Sequence, residues 1–421
     1  MEYIENSLSS KREKSTTTKE SKKEHSKKWA VLAISSIPLV MTLGNSMLIP
    51  VLPVMEDKLN ISSFQSSMII TVYSIVAIIL IPIAGFLSDH IGRKKVIIPS
   101  LIIAAVGGFI SGWAAWKMSN PYTIILLGRA LQGIGAAGAF PIVIPLVGDM
   151  FKSEEKVSSS LGLIETSNTL GKVISPILGA FLATFIWFIP FLAIPVFCLI
   201  SILLMAFLVK RPNTEYEPIP FKQFIQQIKE IFKNNGRWIY AIFTIGIILM
   251  FVLFGVLFYL SEILERTYNI KDVKKGLYLA IPLGALCLTS LITGKVIKEN
   301  KVLMKWIIFS GLLLFSISVA ALSFSKGLWY MISLFLISGI GIGACLPCLD
   351  SLITEGIDKK QRGTITSIYS SMRFVGVAAG PPVIAILMKN MEGSLFYILS
   401  IIGVFAVLVT LIAIKPDKST T

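Results

Sequence analysis

Charge is scarce in this chain: Asp, Glu, Lys and Arg make up only 15% of its 421 residues, where a water-soluble globular protein carries roughly 25%. The shortage excludes an ordinary soluble fold, and a mean hydropathy of +0.77 places the body of the chain in lipid. Histidine is scarcer still. The 2 histidines are His25, in a polar N-terminal stretch, and His90, in a basic loop, so histidine is excluded as a proton carrier inside the membrane. The 4 cysteines, Cys198, Cys287, Cys345 and Cys348, all fall inside apolar runs, which excludes a disulfide framework and leaves them as small apolar residues. Cys345 and Cys348 are spaced C-x-x-C, but without a second pair or a neighbouring His this does not make a metal site. The patterns H-E-x-x-H, G-x-S-x-G and the phosphate loop G-x4-G-K-S/T are also missing. An intramembrane enzyme or a nucleotide-driven pump is therefore disfavoured, and neither cofactor nor metal is expected.

What the chain does have is long apolar runs. Crossing the hydrocarbon takes about 20 apolar residues in a helix, and twelve such runs are present, at 29–51, 66–87, 96–116, 121–148, 158–184, 187–209, 238–261, 276–297, 303–323, 327–349, 364–388 and 394–414. The expected fold class is an all-α membrane protein of twelve transmembrane helices. The formal charge of +15 follows topology rather than nucleic acid. Lys and Arg concentrate in the N-terminal tail (Lys11 to Lys28), Arg93 to Lys95, Lys152 and Lys156, the 210–237 linker, Lys295 to Lys305, Lys359 to Arg362 and the C-terminus. Positive charge marks the cytoplasmic side, so both termini are expected in the cytoplasm and the protein in the plasma membrane.

The spans divide six and six. A polar tail (1–28), expected to be disordered, precedes a first bundle (29–209). A cytoplasmic linker (210–237) follows, with an amphipathic stretch from Phe221 to Phe232 expected along the membrane surface; the second bundle is 238–414 and the tail 415–421. The halves echo each other. Gly133-Ile-Gly135 and Pro141 match Gly339-Ile-Gly341 and Pro347 at an offset of 206, Gly171 and Pro176 match Gly376 and Pro381 at 205, and Asn60-Ile61 and Gly85 match Asn269-Ile270 and Gly294 at 209. Internal repeats of this kind are a common transporter plan, with the substrate site at the midplane between them.

Three motifs carry chemistry. Gly85-Phe-Leu-Ser-Asp89-His-Ile-Gly92-Arg93-Lys94-Lys95 lies between spans two and three, span four holds Arg129, Gln132, Gly133, Gly135, Ala136 and Ala137, and span five holds Gly162, Gly171, Ser175, Pro176, Gly179 and Ala180. The first resembles the G-x-L-x-D-x-x-G-R-K-x signature loop of the major facilitator superfamily. The second is similar to that family's R-x-x-Q-G-x-G-A-A motif, and the third to the G-x8-G-x3-G-P-x2-G-G motif of its drug/proton antiporters, with two glycines replaced by Ser175 and Ala180. The resemblance implies two pseudo-symmetric six-helix bundles and a conformational latch of Gly85, Asp89, Gly92, Arg93 and Asp149. It also implies a buried Arg129 tied to proton transfer, unless that arginine is structural, and an antiporter helix built on Gly162, Gly171, Ser175, Pro176 and Gly179. Export by proton antiport is the direction such a helix implies.

Span five also carries Glu165 and Lys172 within its apolar stretch. Charges at membrane depth usually face a protein interior or a water-filled cavity. Seven residues apart, the two share one helix face about two turns from each other. Burial and a neighbouring cation act in opposite senses on a carboxylate's protonation, so Glu165 is the candidate proton carrier, with a structural charge pair as the alternative. Asn45, Thr169, Lys172 and Arg373 are the candidate substrate cavity; Asn45 stands where better-known members of the branch often have an acid. Three buried cations, Arg129, Lys172 and Arg373, against one clear buried acid point to tolerance for an anionic or zwitterionic cargo. The reading that follows is a monomeric secondary transporter, partnered by the lipid bilayer, protons and a small-molecule substrate, exporting amphipathic drugs or a secreted metabolite. One alternative is a dedicated exporter of an anionic metabolite such as a siderophore, and a second is a proton-coupled importer or symporter.

Overall fold

The computed structural model describes residues 27–151, 154–209, 221–297, 300–355 and 359–414. Among the described residues the regular structure is helical throughout, and twelve helices are long and apolar enough to cross a membrane. They are α1 (Lys27–Leu59), α2 (Ser63–Ile91), α3 (Arg93–Lys117), α4 (Tyr122–Met150), α5 (Ser160–Phe185), α6 (Ile189–Leu208), α7 (Gly236–Arg266), α8 (Asp272–Ile297), α9 (Lys301–Ala321), α10 (Leu328–Thr354), α11 (Ile365–Asn390) and α12 (Leu395–Ala413). Each expected run overlaps one of these helices. The stretches 1–26, 210–220 and 415–421, which carry the expected tails and the start of the linker, lie outside the described residues.

Local chemistry sets the breaks. Pro50 and Pro53 lack the N–H that continues a helix, and α1 passes through a 3-10 turn at Ile49–Val51 before resuming at Leu52–Leu59. It ends at Asn60 in the left-handed conformation (φ 52°), and α2 starts on a capping box in which Ser62 and Gln65 satisfy each other's backbone groups. The turn joining α2 to α3 is made by Gly92 alone, at φ 98°, a conformation glycine adopts without a Cβ penalty. Around Pro141 α4 is interrupted, giving Tyr122–Ala139 and Val143–Met150; α10 runs straight through the equivalent Pro347.

The repeat is visible in the packing. In the first half α3 packs on α4 and α6, and α2 on α4; in the second α9 packs on α10 and α12, and α8 on α10. The halves meet through α2 against α11 and α5 against α8, two interfaces that exchange under the same symmetry. Small residues allow the closest approaches. On α5, Gly171 faces Leu39 and Thr42 and Gly179 sits on the Met47 carbonyl of α1; on α11, Gly376 sits on the Ile247 carbonyl and Gly380 against Phe251 of α7. Outward-facing positions are apolar, as with Phe207, Leu288 and Ile401, each more than three-fifths exposed, which suits a surface bathed in acyl chains.

The amphipathic stretch before span seven differs from the expected separate element. Phe221–Arg266 is one continuous helix. Near its start Phe232 packs against Tyr240, tilted, and edge-on against Phe243, with ring centroids 5.1 and 5.9 Å apart.

Close packing on α5 is also narrower than its motif suggests, because a Cβ at Gly162 would meet open space while one at Gly179 would run into backbone. Gly179→Ala should therefore destabilise the purified protein by about 1–3 kcal/mol, seen as a lower thermal-unfolding midpoint in detergent. Gly162→Ala should leave that midpoint unchanged or raise it. Equal effects at both positions would contradict the α1–α5 contact described here.

Candidate functional site

Between the halves lies a cavity of about 630 Å³, counting its open mouth, with α1, α2, α4, α5, α7 and α11 contributing to its wall. Its polar lining is Thr42, Asn45, Ser46, Asn168, Lys172, Ser370 and Arg373, and its apolar lining includes Tyr73, Phe140, Met250 and Phe254. Three of the four expected cavity residues, Asn45, Lys172 and Arg373, are thus brought together. Thr169 is not among the lining residues: it is buried, and its hydroxyl donates to the Glu165 and Thr166 carbonyls of its own helix. Asn168, one residue earlier, takes the place on the wall. Of the aromatics on the spans, Tyr73 lines the cavity, whereas Trp113 is nearly half exposed on the outer surface.

The two buried cations of the first half are treated very differently. Arg129 has no exposed surface. Its Nε donates to the Ile69 carbonyl (2.7 Å), Nη1 to the Gly44 carbonyl (3.2 Å) and to Gln132, and Nη2 to Asn45 Oδ1 (2.6 Å), while the guanidinium lies 4.5 Å from the Tyr73 ring centroid. These partners are carbonyls and amides, an arrangement that ties α1, α2 and α4 together. Lys172 is 7% exposed, and its Nζ has no hydrogen-bond partner among the described residues. It lines this cavity and also a smaller apolar one, beside Ser46, Pro176, Leu253 and Leu283, that continues between the halves.

In the second half Arg373 pairs with Asp350 of α10 at 3.2 Å and lies 5.6 Å from the Tyr369 ring centroid. This corrects the acid count made from the spans: Asp350 belongs to the cluster, so Glu165 is one of two acids whose charges are felt by Lys172 and Arg373. Glu165 itself is half-buried. Its carboxylate accepts from Asn168 Nδ2 (3.2 and 3.4 Å), and Asn168 Oδ1 accepts from Thr42 of α1 (2.6 Å). The acid is thereby tied to the cavity wall through an amide. Along the same helix, Ser175 is buried and donates to the Gly171 carbonyl, ahead of Pro176.

At one end of the bundle the loop residues assemble as expected. Arg93 pairs with Asp89 and with Asp149 (3.3 Å), and its Nη1 donates to Ser88 (2.7 Å). Gly85 faces Ser367 of α11 across the halves, and Gly85, Asp89 and Arg93 line one recess with Pro141 and Ser367.

At the opposite end is a cluster that reading the spans missed. Arg266 of α7 pairs with Glu56 (2.8 Å) and Asp57 (3.5 Å) of α1 and with Glu262 (2.9 Å) of its own helix, and Lys275 of α8 pairs with Glu265. Ser261 donates to the Ile49 carbonyl beside it. A signal for this cluster existed, since Glu56 and Glu265 stand at the same 209-residue offset as Asn60 and Asn269, both of which adopt left-handed backbone here.

Comparison with known proteins agrees with this architecture. The family model described as Major Facilitator Superfamily matches residues 34–381 and 303–421. A "Bacillibactin exporter" of Bacillus subtilis (strain 168) is 55% identical over 392 residues, covering 92% of this chain and 98% of that protein. "Multidrug resistance protein 2" of the same organism is 24% identical over 359 residues, covering 83% and 86%. Among solved structures, the human organic anion transporter MFSD10 (TETRAN) superposes with a TM-score of 0.71 at 17% identity, covering 91% of this chain and 99% of that one, a likeness of fold. With two six-helix halves, the signature loop and a family match along most of its length, the chain belongs to the major facilitator superfamily and is a transporter.

Proposed function

We propose that this transporter exports an acidic, catecholate-bearing siderophore, bacillibactin or a molecule like it, by proton antiport with alternating access. The observation that carries the reading is the ammonium of Lys172, buried in the wall of the inter-half cavity without a hydrogen-bond partner among the described residues. A buried ammonium with no hydrogen-bond acceptor is costly, and an anionic cargo relieves that cost while a cationic drug adds to it. The 55% identical relative named as a bacillibactin exporter supports the same cargo class. The cavity's aromatic and apolar wall suits the rings of such a molecule.

In this reading Glu165 takes up the proton, held at the cavity by Asn168 and Thr42, while Arg129 fixes the helices around it. The Asp89–Arg93–Asp149 cluster latches one end of the bundle, which the distribution of positive charge assigns to the cytoplasm. The chain acts as a monomer in the plasma membrane, with both termini cytoplasmic and no cofactor.

Two measurements test this. In proteoliposomes, Glu165→Gln should still bind the siderophore but lose export driven by a pH gradient; retained pH-driven exchange would remove Glu165 from the coupling step. Lys172→Ala should weaken binding of the acidic siderophore about ten- to a hundredfold, the worth of a charge-assisted hydrogen bond, and leave binding of a cationic dye unchanged or improved. Equal losses for both ligands would overturn the anion assignment.

A further inference from the structure

The cluster joining α1 to α7 at the end far from Asp89 has an arrangement that the transport cycle proposed above does not use. Glu56 and Glu262 come from different halves and are 5% and 2% exposed. Both carboxyls lie within 2.9 Å of the same guanidinium. Arg266 donates to one oxygen of each, Nη2 to Glu56 Oε2 and Nε to Glu262 Oε2. Glu56 is satisfied further by Ser63 (2.8 Å) and Ser66 at the start of α2. Glu262 Oε1 is buried and has no donor among the described residues.

The surrounding charges do not resolve this. Asp57 is exposed and draws on the same Arg266 at 3.5 Å, Lys275 of α8 is bound to Glu265, and Asp272 at the start of α8 adds another negative charge. Among the described residues two cations, Arg266 and Lys275, therefore face three carboxylates, Glu56, Glu262 and Glu265, which leaves one negative charge over. Like charges buried this close to one guanidinium disfavour one another.

We propose that Glu56 and Glu262 form a proton-binding site, holding one proton between their carboxyls and existing only while α1 and α7 are joined at this end. The proton supplies the donor that Glu262 Oε1 lacks and leaves one net negative charge for Arg266. When the two helix ends part, each carboxyl is hydrated separately and the proton leaves to water on that side. Closure of this end then takes up a proton and opening releases one, whatever the cargo.

The test is the infrared spectrum of the purified full-length protein at neutral pH, with choline as the only added cation. The wild type should show a carboxylic-acid carbonyl band that shifts when the glutamates carry 13C carboxyls and not when the aspartates do, which requires no variant. Glu56→Gln and Glu262→Gln should each abolish the band, because either change leaves a single carboxylate matched to Arg266. Asp57→Asn and Glu165→Gln should retain it. A wild type without the band, a band that follows the aspartate label, or one that survives Glu262→Gln overturns the proposal.

Discussion

The structure depends on how a few charges are kept inside an apolar body. An ionised side chain in hydrocarbon surroundings is costly unless it is paired or hydrogen-bonded. Arg129 meets the condition with carbonyls and amides from α1, α2 and α4, and Arg373 meets it with Asp350. Lys172 has no hydrogen-bond partner among the described residues. Arg129 braces the helices behind the cavity while Lys172 and Arg373 line it, and the proposed anionic cargo follows from Lys172.

The same constraint organises the two ends. Near Gly92, Arg93 is shared between Asp89 and Asp149, within the first half. At the far end Arg266 is shared among Glu56, Asp57 and Glu262, across the halves. The inter-half joints along the bundle are of another kind. Gly276 of α8 sits on the Pro176 carbonyl of α5, and Thr71 and Ser371 donate to backbone carbonyls across the α2–α11 interface. Along the bundle the halves thus meet through backbone-to-backbone and single hydroxyl contacts, and of these two ion clusters the one that crosses between them is that of Arg266.

Much of this was legible in the chain because membrane helices are long and apolar and because the fold is duplicated. The twelve spans, the loop cluster of Gly85, Asp89, Gly92, Arg93 and Asp149, and the meeting of Asn45, Lys172 and Arg373 could all be read from hydropathy, motif spacing and offset. What escaped has physical causes. Asp350 sits near the end of its apolar run, so nothing local marks it as central; only the packing of α10 against the neighbouring helices brings it to Arg373. Thr169 and Asn168 are adjacent, and helical phase alone did not decide which of them would line the wall. Glu56 and Asp57 lie beyond the prolines that close the first apolar run, and the helix resumes there because Val54 to Leu59 carry no further breaker. Gly162 shares a motif with Gly171 and Gly179 but faces open space, so spacing was preserved where packing was not.

The central claim, that the cavity's ammonium selects an anion, is tested most directly by equilibrium binding to the wild-type protein. An acidic catecholate siderophore would be compared by calorimetry with its O-methylated counterpart, which has the same rings and nearly the same shape but no acidic hydroxyls. The acidic form should bind at least about tenfold more tightly, roughly 1.4 kcal/mol. Equal affinities for the two ligands at every pH would contradict it.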